Sequence, residues 1–298
     1  MTVIVLLALA LLAASQQKVE APDAIRLPDR NPLIVEADAH YGRRQEGRVG
    51  AAANPREIAQ AVAGYDRAAQ APDSVEARWK LARALYFQAS YTGQDADSQH
   101  AIYEKARRIS EEAVRILQRR GKSRNVPSME GRSPAEAALV GSDRDATPTF
   151  FWAAVAWGQF ALASGKIQAV RTGAAEKIRD YAETVIAIDP EFEDGGGYRV
   201  LGRLHHQAPK IPVLTPWVSR EKAVENLRRA VGVNGRNLVN RHFLAEALAD
   251  GNSAERSEAI RIEEAVVADA PSPGHLVEEL AIQEEAKRNL AKWKGRQD

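Results

Sequence analysis

The sequence predicts an all-α fold of helical hairpins stacked side by side into a short superhelix, and three observations carry that prediction. The first is a seam in residues 198–230, which reads Tyr198-x-x-Leu201-Gly202-x-x-His205, a proline-rich loop, then Ala223-x-x-x-Leu227-x-x-Ala230. Residues three and four apart share a helix face, so each half is a helix with large and small side chains alternating along one seam. Small residues admit a neighbouring helix and large ones fill the gap between. A hairpin of this kind buries its apolar side only by stacking on further hairpins. The second observation is recurrence: Leu81-Ala82, Trp157-Gly158, Leu201-Gly202 and Leu244-Ala245 hold matching places, and the last two intervals differ by one residue. The third is punctuation, because glycine and proline gather mostly between the periodic segments.

Taken in order, residues 3–14 form an apolar run that ends in Leu12-Ala13-Ala14-Ser15. The run is too short to span a bilayer comfortably, and its small closing residues suit an export cleavage site. Residues 1–15 are therefore expected to be a signal segment. Residues 16–53 are polar and proline-bearing, and read as a linker with a short helix around Leu33 to Tyr41. The helical repeat domain is expected from residue 54 to 298. Pro55 opens its first helix, in which Ala61, Tyr65 and Ala68 repeat the spacing of Ala223, Leu227 and Ala230. Further helices are expected at 76–90, at 100–119 with Ala106, Ser110 and Ala113 on the seam and Gly121 as terminator, and at 147–164 from an N-cap at Thr147. The last of these is aromatic-rich, with Phe150, Phe151, Trp152, Trp157 and Phe160. Between them, residues 122–146 form the longest stretch without a period. Helices at 174–188, 198–206, 220–230, 238–249, 254–269 and 276–294 complete the chain, Ser219 capping the second helix of the hairpin that starts at Tyr198. Glu263 stands where the seam wants an apolar residue.

Composition narrows the function. Forty-one basic against 40 acidic residues leave a net charge of +1, which offers no basic face to nucleic acid. There are no cysteines, so disulfides, thiolate metal sites and cysteine nucleophiles are excluded. His205 and His206 are adjacent on a helix and point about 100° apart, a poor arrangement for chelating one ion. Gly121-Lys122-Ser123 imitates the end of a phosphate-binding loop, but Ile116 stands where the motif needs its first glycine. No HExxH or GxSxG occurs. Neither enzyme, metal nor cofactor is expected.

The hairpin spacing resembles the tetratricopeptide repeat, with Tyr198, Leu201-Gly202, Ala223, Leu227 and Ala230 matching one unit. A narrower resemblance rests on Phe151-Trp152-Ala153-Ala154-Val155-Ala156-Trp157-Gly158, on the stretch from Val185 through Ile188-Asp189-Pro190 to Gly195, and on Leu201-Gly202 with the proline-rich loop 208–217. Over residues 60–270 the chain looks like the T-component proteins associated with TRAP transporters. That resemblance implies a periplasmic helical-repeat protein, usually a lipoprotein, that works with a periplasmic solute-binding protein. Ser15 stands where a lipidated cysteine would be, so an exported protein without a lipid anchor is expected.

In this repeat class the first helices line a concave groove. Carried over by position, the groove residues are Trp79, Arg83 and Tyr86; Trp152 and Gln159; Arg199, Arg203 and His206; and His242 with Glu246. Arg199 and Arg203 are four apart and are expected to offer two guanidinium groups to one carboxylate, unless each is held by surface carboxylates such as Glu193 and Glu225. A cavity is expected near Trp152 and Trp157, open to an apolar or carboxylate-bearing ligand. The apolar loop 209–217 is expected to fold back over its hairpin or to dock a partner. The expected function is a non-enzymatic accessory to solute uptake, with a general scaffold for protein assembly as the alternative.

Overall fold

The computed structural model describes residues 31–122 and 140–295. Among these, every regular element is a helix: α1 (Pro32–Gly42), α2 (Pro55–Ala68), α3 (Val75–Tyr91), α4 (Ala96–Lys122), α5 (Ala146–Arg171), α6 (Ala174–Ile188), α7 (Phe192–Gln207), α8 (Arg220–Val233), α9 (Leu238–Ala249), α10 (Ser253–Ala268) and α11 (Leu276–Lys294), the last preceded by a single 3-10 turn. The starts follow from side-chain chemistry. Asn31, Asn54, Ser219, Asn237 and Asn252 each accept a backbone N–H of the first turn, and Asn252 forms a reciprocal capping box with Glu255.

Five antiparallel hairpins result, α1/α2 through α9/α10, and each helix packs on the next along the chain. The first helices α3, α5, α7 and α9, together with α11, also touch one another along one side. Each hairpin is thus a wedge, narrower on that side, and the stack curves around it. The curvature brings the ends together. Arg44, just past α1, donates to Glu278 of α11 and to the carbonyl of Gly274, while Gln45 donates to the carbonyls of Pro273 and Gly274 and accepts from the N–H of Val277. Val277 itself lies in the core shared by α1 to α4.

The seam residues do what their spacing predicts. Leu81, Trp157, Leu201 and Leu244 are buried on the four first helices, and Ala61, Tyr65, Ala68, Ala106, Ser110, Ala113, Ala223, Leu227 and Ala230 on the second ones. Gly202 is small of necessity: a Cβ there would stand 2.6 Å from Leu227 Cγ and 3.1 Å from the Ala223 carbonyl. Gly158, in the equivalent slot of α5, would meet nothing within 4 Å. Its helix presents Trp157 to the core and leaves Gly158 facing open space.

Several expectations are revised. The short helix expected around Leu33 to Tyr41 is α1, but Ile34 and Ala37 carry it into the core against α2, so the stretch read as a linker is folded from residue 31 on. Gly121 is buried inside α4 and does not terminate it. α5 begins at Ala146, ahead of the expected cap at Thr147, and continues past Ser164 through a non-helical Gly165 at φ 79°. Residues 123–139 of the long loop, and the expected signal segment, lie outside the described residues.

Candidate functional site

The inner helices and α11 surround a cavity of about 1270 Å³. Its wall where α3, α5 and α7 meet is aromatic. Trp152 stacks at 5.8 Å on Tyr86 and at 5.1 Å on Phe151, and Tyr86 meets Tyr91 edge-on. Burial pushes the Tyr86 phenol up to about 12, so it stays neutral, its oxygen 3.3 Å from that of Tyr91. Val155, Ile178, Val200, Leu204, Phe243 and Ile282 continue the apolar lining.

Six of the ten expected groove residues line this cavity: Arg83, Tyr86, Trp152, Gln159, Arg199 and Arg203. Four do not, among them Glu246, which is paired with Arg203. Trp79 turns toward the loop before α5 and donates its indole N–H to Asp145 at 3.0 Å. His206 pairs with Asp250 beyond α9. His242 is fully buried, because α11 covers the inner face of α9 and brings Glu285 to 3.3 Å from its Nε2. Its Nδ1 lies 2.9 Å from Glu263, which is equally buried, and this explains a glutamate on an apolar seam. Burial alone would lower the His242 pKa, but hydrogen bonds to Glu263 and Glu285 and the nearby Glu246 outweigh it and hold the imidazolium up to about 9. Trp157 is likewise a core residue, donating to Glu111 and stacked edge-on against Phe160.

The expected convergence of Arg199 and Arg203 is also corrected. Arg203 donates to Glu246 and lies over the Phe243 ring at 4.2 Å. Arg199 takes different partners: its Nη1 donates to the Glu193 carbonyl and to Asn240 Oδ1, both at 2.9 Å. Glu225 pairs with Arg229 on its own helix. Asn240 is fully buried and donates in turn to the carbonyls of Asp194 and Ala230. These bonds hold Glu193, Asp194 and Gly195 in three successive left-handed conformations, φ 50°, 59° and 78°. Two of the three are non-glycine residues, which costs about 1–2 kcal/mol each. The strain persists because Arg199 and Asn240 grip both carbonyls of the turn.

The cavity also takes residues that no spacing argument reached. Tyr41 and Arg44 come from the N-terminal segment, and Glu278 and Glu285 from α11, all delivered by closure of the ends. Arg83 lies over the Tyr41 ring at 3.9 Å, and among the described residues no carboxylate lies within ion-pairing distance of it. At the cavity edge, the stretch of α5 beyond Ala161 and the tip of the proline loop expose apolar side chains: Leu162 and Ile167 are 60% and 74% accessible, Val213 and Leu214 93% and 50%. The rest of that loop folds back as expected, Trp217 packing edge-on against His205 and beneath Arg179. Burial, with Lys222 and Arg179 nearby, lowers the His205 pKa to about 4. Among the described residues no group of His, Asp and Glu is arranged to hold a metal, and no helix is long and apolar enough to cross a membrane.

Paired helices wound around an aromatic-lined axial cavity define a helical-repeat protein whose inner face encloses space. The sequence pattern of the TRAP transporter T-component family matches residues 79–293, from within α3 to the last turn of α11. The chain belongs to the TRAP transporter T-component family, a family of transport accessories. No curated protein matches the chain.

Proposed function

We propose that this chain is an exported, non-enzymatic accessory to TRAP-type solute uptake, which holds a small ligand in its axial cavity and works alongside a periplasmic solute-binding protein. The observation that carries this reading is the cavity itself. At about 1270 Å³ it is large enough for a small ligand, and it combines an aromatic wall with charged side chains of both signs. Export is supported by the apolar run at residues 3–14 with its small closing residues. The exposed Leu162, Ile167, Val213 and Leu214 at the cavity edge supply an apolar surface suited to the partner protein.

The test is co-purification from the native envelope, with the TRAP solute-binding protein of the same organism as the quantified partner. Enrichment of that protein, reduced by Ile167→Asp or Val213→Asp, is the expected result. Recovery of unrelated assembly factors alone, unaffected by those substitutions, would instead make the chain a general scaffold.

A further inference from the structure

We propose that the cavity selects an anion with an apolar body, a carboxylate on a hydrocarbon or aromatic frame, and that Arg199 is the anchor for its charged end. The inference rests on the reading of the cavity as a ligand site and goes further by naming the chemistry of the ligand.

Arg199 is built for this task. Its Nη1 is committed to the Glu193 carbonyl and to the buried Asn240 Oδ1, so the guanidinium plane is fixed. Its Nε and Nη2 donate to nothing among the described residues, although the residue lines the cavity. A guanidinium presents its donors in a flat fork that matches two carboxylate oxygens, and a fixed plane spares the entropy of ordering a flexible arm. The grip on a strained turn, Glu193 to Gly195, makes the position a rigid one.

The aromatic wall joins Arg199 to a second guanidinium, that of Arg83. Trp152 stacks on Phe151, over which the Arg199 guanidinium lies at 5.8 Å, and on Tyr86, one turn from Arg83. Arg83 adds a positive charge and, among the described residues, has no carboxylate in ion-pairing range. Unmet donors on one wall, facing an apolar remainder, call for a ligand whose acceptor and apolar ends are distinct.

Among the described residues, the six carboxylates that line the cavity, Glu176, Glu193, Asp194, Glu278, Glu279 and Glu285, accept no side-chain bond from Arg199. Glu278 is engaged by Arg44, Glu285 by His242, and Asp194 by Asn237. Glu193 is exposed and outside ion-pair distance of Arg199, which holds only its backbone carbonyl. Their charge nonetheless keeps the cavity from being uniformly positive. Recognition is therefore expected to depend on donor placement more than on a general field, and to persist in moderate salt.

The experiment is titration calorimetry of the full chain with decanoate and with decanol, which share a hydrocarbon body and differ in the head group. Decanoate is expected to bind at least tenfold tighter, the scale of one charge-assisted hydrogen-bonded pair. Arg199→Gln should weaken decanoate tenfold or more and leave decanol within twofold. Arg83→Gln removes the second positive charge of the wall and should weaken decanoate severalfold; it serves as the second variant should Arg199→Gln lose its fold by circular dichroism. Equal binding of acid and alcohol, or decanoate binding unchanged in both variants, would overturn the anion assignment and leave the cavity a ligand site. Binding of neither probe at millimolar concentration would overturn the cavity reading and the assignment with it.

Discussion

Replacing Arg44 with methionine tests whether the ends of the chain are joined as the structure has them. Arg44 is 7% exposed. Its Nε and Nη2 both donate to Glu278 Oε1, at 3.2 and 2.9 Å, and Nη2 also donates to the Gly274 carbonyl at 2.7 Å. Removing one partner of a buried pair costs about 3–5 kcal/mol, because the other charge is left desolvated and unpaired. Glu278 retains 15% side-chain accessibility, which argues for the lower end of that range. The Gly274 carbonyl keeps its bond from Gln45, so no orphaned backbone acceptor is added. Losing the guanidinium from its place 4.6 Å from the Tyr41 ring removes about 0.5–1 kcal/mol more. The expected loss is about 3–4 kcal/mol, and Arg44→Met with Glu278→Leu should recover most of it, since an apolar pair carries no desolvation penalty. A stacked array can open at one end without unfolding throughout. Hydrogen exchange of the amides in 276–284 is therefore the decisive assay beside urea unfolding, and should accelerate in the single variant and recover in the double one. A loss under about 1 kcal/mol, with exchange in 276–284 unchanged, would show that the two ends are held by something other than this clasp.

Two further perturbations follow from the same geometry. Gly202→Ala should destabilise by about 1–3 kcal/mol, since its Cβ would intrude on Leu227, whereas Gly158→Ala should stabilise by about 0.5–1 kcal/mol; thermal unfolding of the two variants measures the contrast, and similar shifts would contradict the packing. Stability should peak near neutrality through two histidines of opposite sense. His242 binds its proton in the folded state up to about pH 9 against 6.5 for the free side chain, so its contribution is complete below about 6.5 and is lost as pH rises through 9, on the order of 3 kcal/mol. His205, lowered to about 4, works the other way: between 6.5 and 4 the unfolded chain takes up a proton that the folded chain refuses, and stability falls with pH. Urea midpoints at pH 5, 7 and 9 should show the alkaline limb flattened in His242→Gln and the acidic limb flattened in His205→Gln.

What was legible in the sequence is what neighbours in sequence determine. The 4-then-3 seams are properties of a single helix, and Leu81, Trp157, Leu201 and Leu244 all went into the core as their spacing required. Closure of the ends was not legible, because it accumulates from a small bend at every hairpin and ends in contacts between Arg44 and Glu278. Glu263 was visible as an anomaly on its seam, but its partner His242 lies on the preceding helix and was itself read as a groove residue. That misreading has one cause: a fifth inner helix, α11, covers the fifth hairpin, and nothing in the local pattern of α9 announces it.

The same division explains why the cavity wall was half predictable. Register within a repeat placed Arg199 and Arg203 on the inner face, yet it made them equivalent. They differ because α9 of the next hairpin supplies Glu246 to Arg203 and Asn240 to Arg199. A carboxylate neutralises the first; an amide only orients the second and leaves its charge and two donor groups unspent. The left-handed turn at 193–195 was equally hidden, since Glu193 carries no signal for positive φ and Asp194 only a weak one, and the bonds from Arg199, Asn237 and Asn240 that hold the turn come from outside it. Residue type and period can therefore say which side chains face the hollow. Which of those side chains remain free to bind is decided by the adjoining hairpin, and in this chain that choice falls on Arg199.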